Sequence, residues 1–307
     1  MSGVNGDTYG FIPHTSYLIS HPFLLTMQLG IYSKTFDRPN LGAVLDAVKA
    51  HGLACVQFNM LSAGVPTLPD ALDANVIETV RRETTARGIR IAALSGTFNM
   101  AHPDRAERQH GLAQLRILAE ASAALGAPIL SLCSGTRELS SMWHTHPDNV
   151  TPQAWRDLVD CMRQAVQIAE VNQVTLAMEP EVNNVVDSAH KARRLIDEMG
   201  SPRLKVIMDG ANIFHTGELP RMREILQESI ELLATDIVLA HAKDLDHDGD
   251  AGHLAVGHGL LDYDWYLAQL RRVGYDGAII MHGLSEEQVP QCVRFMRGKL
   301  SNHAGTT

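Results

Sequence analysis

The feature that most constrains the fold is an alternation of eight short apolar runs with helix-length amphipathic segments. The runs are mostly β-branched or aliphatic, and their near-continuous apolarity is typical of parallel strands that are covered on both faces. In chain order they are MQLGIYS from Met27, LACVQFN from Leu53, RIAALSG from Arg90, PILSLCSG from Pro128, VTLAMEPE from Val174, LKVIMDGAN from Leu204, DIVLAHAKD from Asp236 and GAIIMHG from Gly277. Eight such βα units predict one closed (β/α)8 TIM barrel. A doubly wound open sheet is the alternative, but no G-x-G-x-x-G follows the first run, which disfavours it.

The segments between these runs carry helix boundary signals. Helices are predicted over residues 41–51, 104–125, 152–171, 187–199 and 219–234. Thr151 before Pro152, and Ser285 before Glu286, are typical of helix N-caps. Four glycines are placed where helices should end: Gly52, Gly88, Gly126 and Gly200.

The length and continuity of the chain predict one domain. A chain of 307 residues is normal for one α/β barrel, and no Pro/Gly/Ser-rich linker divides it. We expect residues 27–301 to form the barrel, residues 1–26 to be an N-terminal extension outside it, and residues 302–307 to be a tail. Residues 1–26 lack the basic start of a signal peptide, so Met27 is a candidate natural start. A protein beginning at Met27 that failed to fold would contradict this.

Charge and cysteine content narrow the function classes. The chain has 35 acidic and 26 basic residues, a formal net charge of −9, which disfavours nucleic acid as a partner. No stretch of about 20 apolar residues is present, so no membrane association is predicted. The four cysteines form no C-x-x-C pair. Cys55 and Cys133 lie in apolar runs and are predicted to be buried free thiols, which fits a cytoplasmic protein.

Four consecutive strands end in ionisable residues. These are Glu179, Asp209, His241 and His282. In an α/β barrel the C-terminal strand ends build the active site, and inward-facing side chains from these positions would converge on the barrel axis. Buried carboxylates need compensation, which a divalent cation supplies while imidazoles complete its shell. Each residue alone has a simpler interpretation: Asp209 as a helix N-cap, His241 as a hydrogen-bonded core histidine.

Together these residues carry a family resemblance. Glu179 in LAMEPE, Asp209 in MDGAN, His241 in AHAKD, and the turns GYDG from Gly274 and GHGLLD from Gly257 resemble the xylose-isomerase-like barrels of the sugar isomerase/epimerase superfamily. The resemblance runs from about Met27 to about Leu300. That superfamily includes ketose 3-epimerases, hydroxypyruvate isomerase and inosose dehydratase.

The resemblance implies a ligand set and a mechanism. Such barrels usually hold a metal with Glu, Asp, His and Glu, and the two glutamates usually act as the acid–base pair. In this chain His282 occupies the position where the last glutamate is usual. The resemblance then leaves two alternatives: His282 is the fourth ligand and the second acid–base group, or the metal has only three protein ligands. The implied reaction is isomerisation or epimerisation of a sugar-like ketone through an enediolate, with Glu179 as base. A lyase on the same scaffold and a non-catalytic or partner-dependent subunit are the alternatives.

Residues near the strand ends are candidates for contacts to a carbohydrate substrate. They are Glu181, Asn212, Lys243, Asp244, Trp143 and His144. Two carboxylates with two imidazoles favour Mn²⁺ first, then Co²⁺, Zn²⁺ or Fe²⁺, over Mg²⁺, which prefers oxygen ligands. Such barrels often form homo-oligomers, so a dimer or tetramer is a further expectation.

Overall fold

The computed structural model of the protein describes residue 1 and residues 27–301. Eight parallel strands pair in sequence order, and the first pairs with the last to close the barrel. They are β1 (Gln28–Tyr32), β2 (Cys55–Phe58), β3 (Arg90–Ser95), β4 (Ile129–Cys133), β5 (Thr175–Glu179), β6 (Leu204–Asp209), β7 (Ile237–Ala242) and β8 (Ala278–Met281). The predicted (β/α)8 barrel is therefore confirmed. The proposed extension after Met1 and the tail from residue 302 lie outside the described residues.

One α-helix follows each strand in this part of the chain. The helices are α1 (Leu41–Ala50), α2 (Ala74–Arg87), α3 (Arg105–Leu125), α4 (Pro152–Asn172), α5 (Ala189–Met199), α6 (Met222–Leu233), α7 (Tyr263–Arg272) and α8 (Val289–Ser301). Within residues 27–301, no helix has the length and apolarity needed to cross a membrane.

Side-chain caps and glycines set the helix ends, largely as predicted. The Thr151 hydroxyl accepts a hydrogen bond from the Ala154 N–H, so α4 begins at Pro152. Gly126 and Gly200 end α3 and α5 with left-handed backbones, at φ 66° and 59°. The predicted helix 187–199 was too long at its start, because the Ser188 side chain caps the Lys191 N–H and α5 begins at Ala189.

Side chains inside the barrel form a cluster separate from the main core between sheet and helices. Its buried members are Cys55, Ala92, Ala93, Ala177, Ile207, Leu239, Ala278 and Ile280. The interior is tight at Gly30, where an added Cβ would lie 2.6 Å from Ile280 Cδ1 and 2.8 Å from the Cys55 carbonyl oxygen. This packed floor closes the barrel below the strand ends, so chemistry is confined to the C-terminal mouth.

Candidate metal centre

Four side chains from neighbouring strands meet at the C-terminal mouth of the barrel. Glu179 and Asp209 are the last residues of β5 and β6, His241 lies in β7, and His282 directly follows β8. One potential ligand atom from each lies within 4.8 Å of all the others. The structure thus brings together all four residues that the sequence singled out.

The spacing of these atoms fits a single ion. His241 Nδ1 lies 3.3 Å from Glu179 Oε1 and 4.0 Å from Asp209 Oδ2, and His282 Nε2 lies 3.1 Å from Asp209 Oδ2. Donor atoms that share an ion at about 2.0–2.2 Å are about 3.0–3.5 Å apart. Two carboxylates and two imidazoles in a buried pocket are therefore a suitable donor set for a divalent transition metal.

Strand register explains why these residues face the axis. Ala177, Ile207 and Leu239, two residues before Glu179, Asp209 and His241, belong to the barrel-interior cluster. Because side chains alternate along a strand, the three polar groups point to the same side. The pairing of β6 with β7 shifts by one residue between Val206 and Ile207, because β7 contains one extra residue at that point. This shift places Asp209 opposite His241.

Gln57 in β2 determines which ring nitrogen of His241 is protonated and how the ring is oriented. The His241 Nε2–H donates to Gln57 Oε1 at 2.8 Å, while Gln57 Nε2 donates to Ser131 Oγ at 3.1 Å. Because Gln57 accepts the Nε2–H, Nδ1 is the ring nitrogen on the side of the carboxylates that is left to bind an ion. A ligating histidine usually needs such an acceptor on its other ring nitrogen.

Asp209 has a separate partner for each oxygen. Its Oδ1 accepts the Ala211 N–H at 2.9 Å and so caps a turn, whereas the simpler interpretation of Asp209 was a helix N-cap. Its Oδ2 faces His282 and lies 3.7 Å from Lys243 Nζ. Burial alone would raise the pKa of Asp209, but Lys243 and the His282 hydrogen bond hold it well below its usual range. The carboxylate is therefore ionised, as a metal ligand must be.

The two glutamates of the β5 end differ in protonation. Asn212 Nδ2 donates to Glu179 Oε1 at 2.7 Å. Burial would raise the pKa of Glu179, but the neighbouring His241 and Lys243 lower it below the usual value. Burial raises the pKa of Glu181 to about 8, against the opposing effect of Lys243. Near neutral pH the site therefore holds one charged and one protonated glutamate.

His282 is an uncharged imidazole near neutral pH. Burial and the neighbouring His241 lower its pKa, and these effects outweigh the hydrogen bond with Asp209. The two rings lie 4.4 Å apart between centroids. A neutral imidazole can act as a ligand, whereas a protonated one cannot.

A cavity of about 470 Å³ opens at the barrel mouth, and three of the four residues line it: Glu179, His241 and His282. Of the predicted substrate contacts, Glu181, Lys243, Trp143 and His144 line it. Asn212 is fully buried and orients Glu179. The structure does not bring Asp244 into the cavity lining.

The carboxylate of Asp244 is used to hold the loop after β7. It accepts hydrogen bonds from the backbone N–H groups of Leu245, Gly257 and Leu261 at 2.9–3.0 Å. The predicted substrate contact of Asp244 is therefore corrected to a structural role. Its position three residues after His241 suggested a substrate contact, but side-chain alternation directs it away from the cavity.

Sequence reasoning missed several residues of the cavity. Tyr32, at the end of β1, lines it and accepts hydrogen bonds from Ser95 Oγ and Asn59 Nδ2. Gln57 and Ser131 line its base. A detectable signal was available for Gln57, since it is a polar residue inside an otherwise apolar strand.

Residues 45–298 match the family described as xylose isomerase-like TIM barrel. The chain belongs to this family. The xylose isomerase-like assignment agrees with the motifs around Glu179, Asp209 and His241, and it covers every strand of the barrel except β1.

Relatives of this xylose isomerase-like chain include sugar epimerases. L-ribulose-5-phosphate 3-epimerase UlaE of Escherichia coli is 24% identical over 189 residues, which cover 62% of this chain and 61% of that relative's length. The 3-keto-D-glucoside 4-epimerase YcjR of E. coli has a similar structure, with a TM-score of 0.69, 18% identity and coverage of 89% of this chain and 99% of that one. The IOLI protein with a bound zinc atom has a TM-score of 0.68, 17% identity and coverage of 92% and 100%.

Proposed function

We propose that the protein is a divalent-metal-dependent isomerase or epimerase of a sugar or sugar-like polyol ketone. It would work by proton abstraction from the carbon next to the carbonyl. The observation that carries the proposal is the convergence of Glu179, Asp209, His241 and His282 within 4.8 Å beneath an open cavity. The epimerase names among its relatives support the same reaction class.

The contacts of each residue in the centre are consistent with the role we propose for it. Glu179, Asp209, His241 and His282 would hold the ion, which when bound supplies a Lewis acid that polarises the substrate carbonyl. Glu179 is ionised and is oriented by Asn212, so it can accept the carbon-bound proton. Lys243 is buried beside Asp209, where its ammonium group can stabilise negative charge that develops on the substrate.

The upper part of the cavity fits a polyhydroxylated ring or chain. The Trp143 side chain is 49% exposed, and it offers an apolar face against which a sugar can stack. Glu181, protonated near neutral pH, can donate a hydrogen bond to a hydroxyl or carbonyl oxygen. His282 can return a proton to the substrate, on the same carbon for epimerisation or on its neighbour for isomerisation.

A lyase is the second candidate, and the observation that favours it is His282. The single N–H of the neutral His282 imidazole could donate its proton to a departing hydroxyl or alkoxide oxygen instead of to carbon, and the ring would regain a proton when Glu179 releases the one it removed. In that case, the same proton abstraction by Glu179 ends in elimination. The product therefore distinguishes the two reactions.

The test uses NMR to monitor the replacement of carbon-bound hydrogen by deuterium in candidate substrates dissolved in D2O. The protein is supplied with Mn²⁺ and incubated with free ketoses, ketose phosphates and keto-inositols. We expect exchange next to the carbonyl, and a loss of about 100-fold or more in Glu179→Gln. Glu120→Gln is the matched control, because it makes the same carboxylate-to-amide change at an exposed position on α3. This variant should catalyse exchange at the rate of the unmodified protein.

Each outcome has a distinct meaning. Recovery of an epimeric ketose or of the isomeric aldose supports the proposal, and recovery of a dehydrated or cleaved product supports the lyase instead. A folded, metal-loaded protein that exchanges no carbon-bound hydrogen across the panel contradicts both, and favours a non-catalytic or partner-dependent subunit.

A further inference from the structure

A second group of metal-ligating side chains lies in the loop between β7 and α7. Asp246 Oδ1 is 2.5 Å from His247 Nδ1 and 3.6 Å from His253 Nε2. The two imidazole rings are 5.3 Å apart between centroids. One potential ligand atom from each residue lies within 4.8 Å of the other two. None of the three belongs to the centre formed by the strand ends.

The backbone around this group holds the two histidines in place. Between them, the Gly249 N–H donates to the Phe214 carbonyl at 2.9 Å, and the Gly252 N–H donates to the Ala211 carbonyl at 3.0 Å. Both acceptors lie in the loop after β6, so the segment from His247 to His253 is anchored against a neighbouring loop. The backbone between the two histidines is thereby held before any ion arrives, so that binding has to order only the side chains.

Neighbouring carboxylates in the same segment have other partners. Asp248 Oδ2 accepts the Leu219 N–H at 2.8 Å, and Asp250 Oδ1 accepts from Asn183 Nδ2 and from its neighbour's backbone N–H. Asp246 is the carboxylate of this segment that faces both imidazoles.

We propose that Asp246, His247 and His253 form a second divalent-metal site, selective for Zn²⁺ and similar borderline ions. Two imidazoles and one carboxylate suit Zn²⁺, Ni²⁺ or Cu²⁺ better than Mg²⁺ or Ca²⁺, and leave positions for water. The side chains are about half exposed, at 54%, 56% and 49%. This site is therefore weaker than the buried centre, because ordering exposed side chains costs conformational entropy.

The site lies at the mouth of the main cavity. His253 also lines that cavity, together with Lys243 and Asp250 of the same loop. An ion held by His253 therefore adds positive charge beside the entrance. Ion binding at this second site does not depend on the proposed function, because its three ligands are separate from the four residues of the strand ends.

The test measures how many Zn²⁺ ions the full-length protein binds, by equilibrium dialysis against buffered Zn²⁺ followed by elemental analysis. We expect two ions in the unmodified protein, one of them weaker. His247→Ala and His253→Ala should each lose the weaker ion and keep the tighter one. His258→Ala removes another exposed histidine of the same loop and should lose neither.

Asp209→Asn separates this proposal from the main centre. It should lose the tighter ion and keep the weaker one. If His247→Ala and His253→Ala bind as much Zn²⁺ as the unmodified protein, or if that protein binds one ion only and loses it in Asp209→Asn, the second site does not exist. If the loop variants lose an ion while Asp209→Asn loses none, the second site stands and the strand-end centre is refuted.

Discussion

Replacing Gln57 by leucine tests whether the buried amide prepares His241 for metal binding. Gln57 is 5% exposed and accepts the His241 Nε2–H at 2.8 Å. Leucine has nearly the same size but no acceptor, so the imidazole loses the partner that fixes its protonated nitrogen. Ser131 also loses its hydrogen bond from Gln57.

The expected effect of Gln57→Leu can be estimated from these contacts. Loss of a partner that orients a metal-ligating histidine lowers metal affinity about 10–100-fold, which is about 1.4–2.7 kcal/mol. Leaving the buried N–H unpaired costs the metal-free protein about 1–3 kcal/mol of unfolding free energy. Metal affinity and stability should therefore both fall.

Gln57→Glu is the matched control. The carboxylate keeps an acceptor for the His241 N–H, and the Ser131 hydroxyl can turn to donate to it. A charged acceptor makes the imidazole a better ligand, so metal affinity should not fall. The assay is competition with a chelator of known affinity, with thermal unfolding as the check on folding. A folded Gln57→Leu protein that binds metal as tightly as the unmodified protein would refute the role assigned to this hydrogen bond.

Three further outcomes are expected. Gly30→Ala should lower the unfolding free energy by about 1–3 kcal/mol, measured by chemical denaturation, because its Cβ would clash with Ile280 inside the barrel. Gly298→Ala on α8 has open space around the new methyl group and should raise the unfolding free energy by up to about 1 kcal/mol. Equal effects of the two substitutions would contradict the tight packing at Gly30. Asp236→Asn should lose about 1–3 kcal/mol at pH 7. Burial alone would raise the pKa of Asp236, but its hydrogen bonds with Lys205 and Arg193 have the larger effect, and the pKa lies below its usual value. The ion pairs therefore stabilise the fold above pH ~4, and this stabilisation disappears as the pH falls through the folded-state pKa. The stability gap between the two proteins should therefore close in acid, and a gap that is constant with pH would contradict the ion pairing. Mn²⁺ at about 100 times its dissociation constant should raise the unfolding free energy by about 2.7 kcal/mol, and excess chelator should remove that gain; an unchanged melting temperature would indicate that the folded chain does not bind the ion.

Much of the fold could be predicted from the sequence because the signals are local. Apolar runs mark the strands, and capping residues such as Thr151 mark helix starts. The positions of Glu179, Asp209 and His241 followed from a general property of α/β barrels, in which strand ends face a common mouth. The alternation of side chains then indicated which of them point inward.

Contacts between distant segments could not be predicted in the same way. Gln57 reaches His241 across the barrel, over 184 residues of sequence, and the sequence contains no pattern for such a pairing. Asp244 was predicted as a substrate contact because it lies within a few residues of His241, but its orientation depends on three backbone N–H groups of a loop whose path only the fold defines. The resemblance indicated the candidate ligand positions, whereas hydrogen bonding in the structure shows how these side chains are held.

The most direct test of the metal centre is anomalous diffraction from crystals grown with Mn²⁺, recorded near the manganese absorption edge. We expect one strong peak at the C-terminal mouth, within about 2.0–2.3 Å of ligand atoms of Glu179, Asp209, His241 and His282. A well-ordered barrel with no peak among these side chains, in crystals with ample Mn²⁺, would contradict a metal centre formed by these four residues.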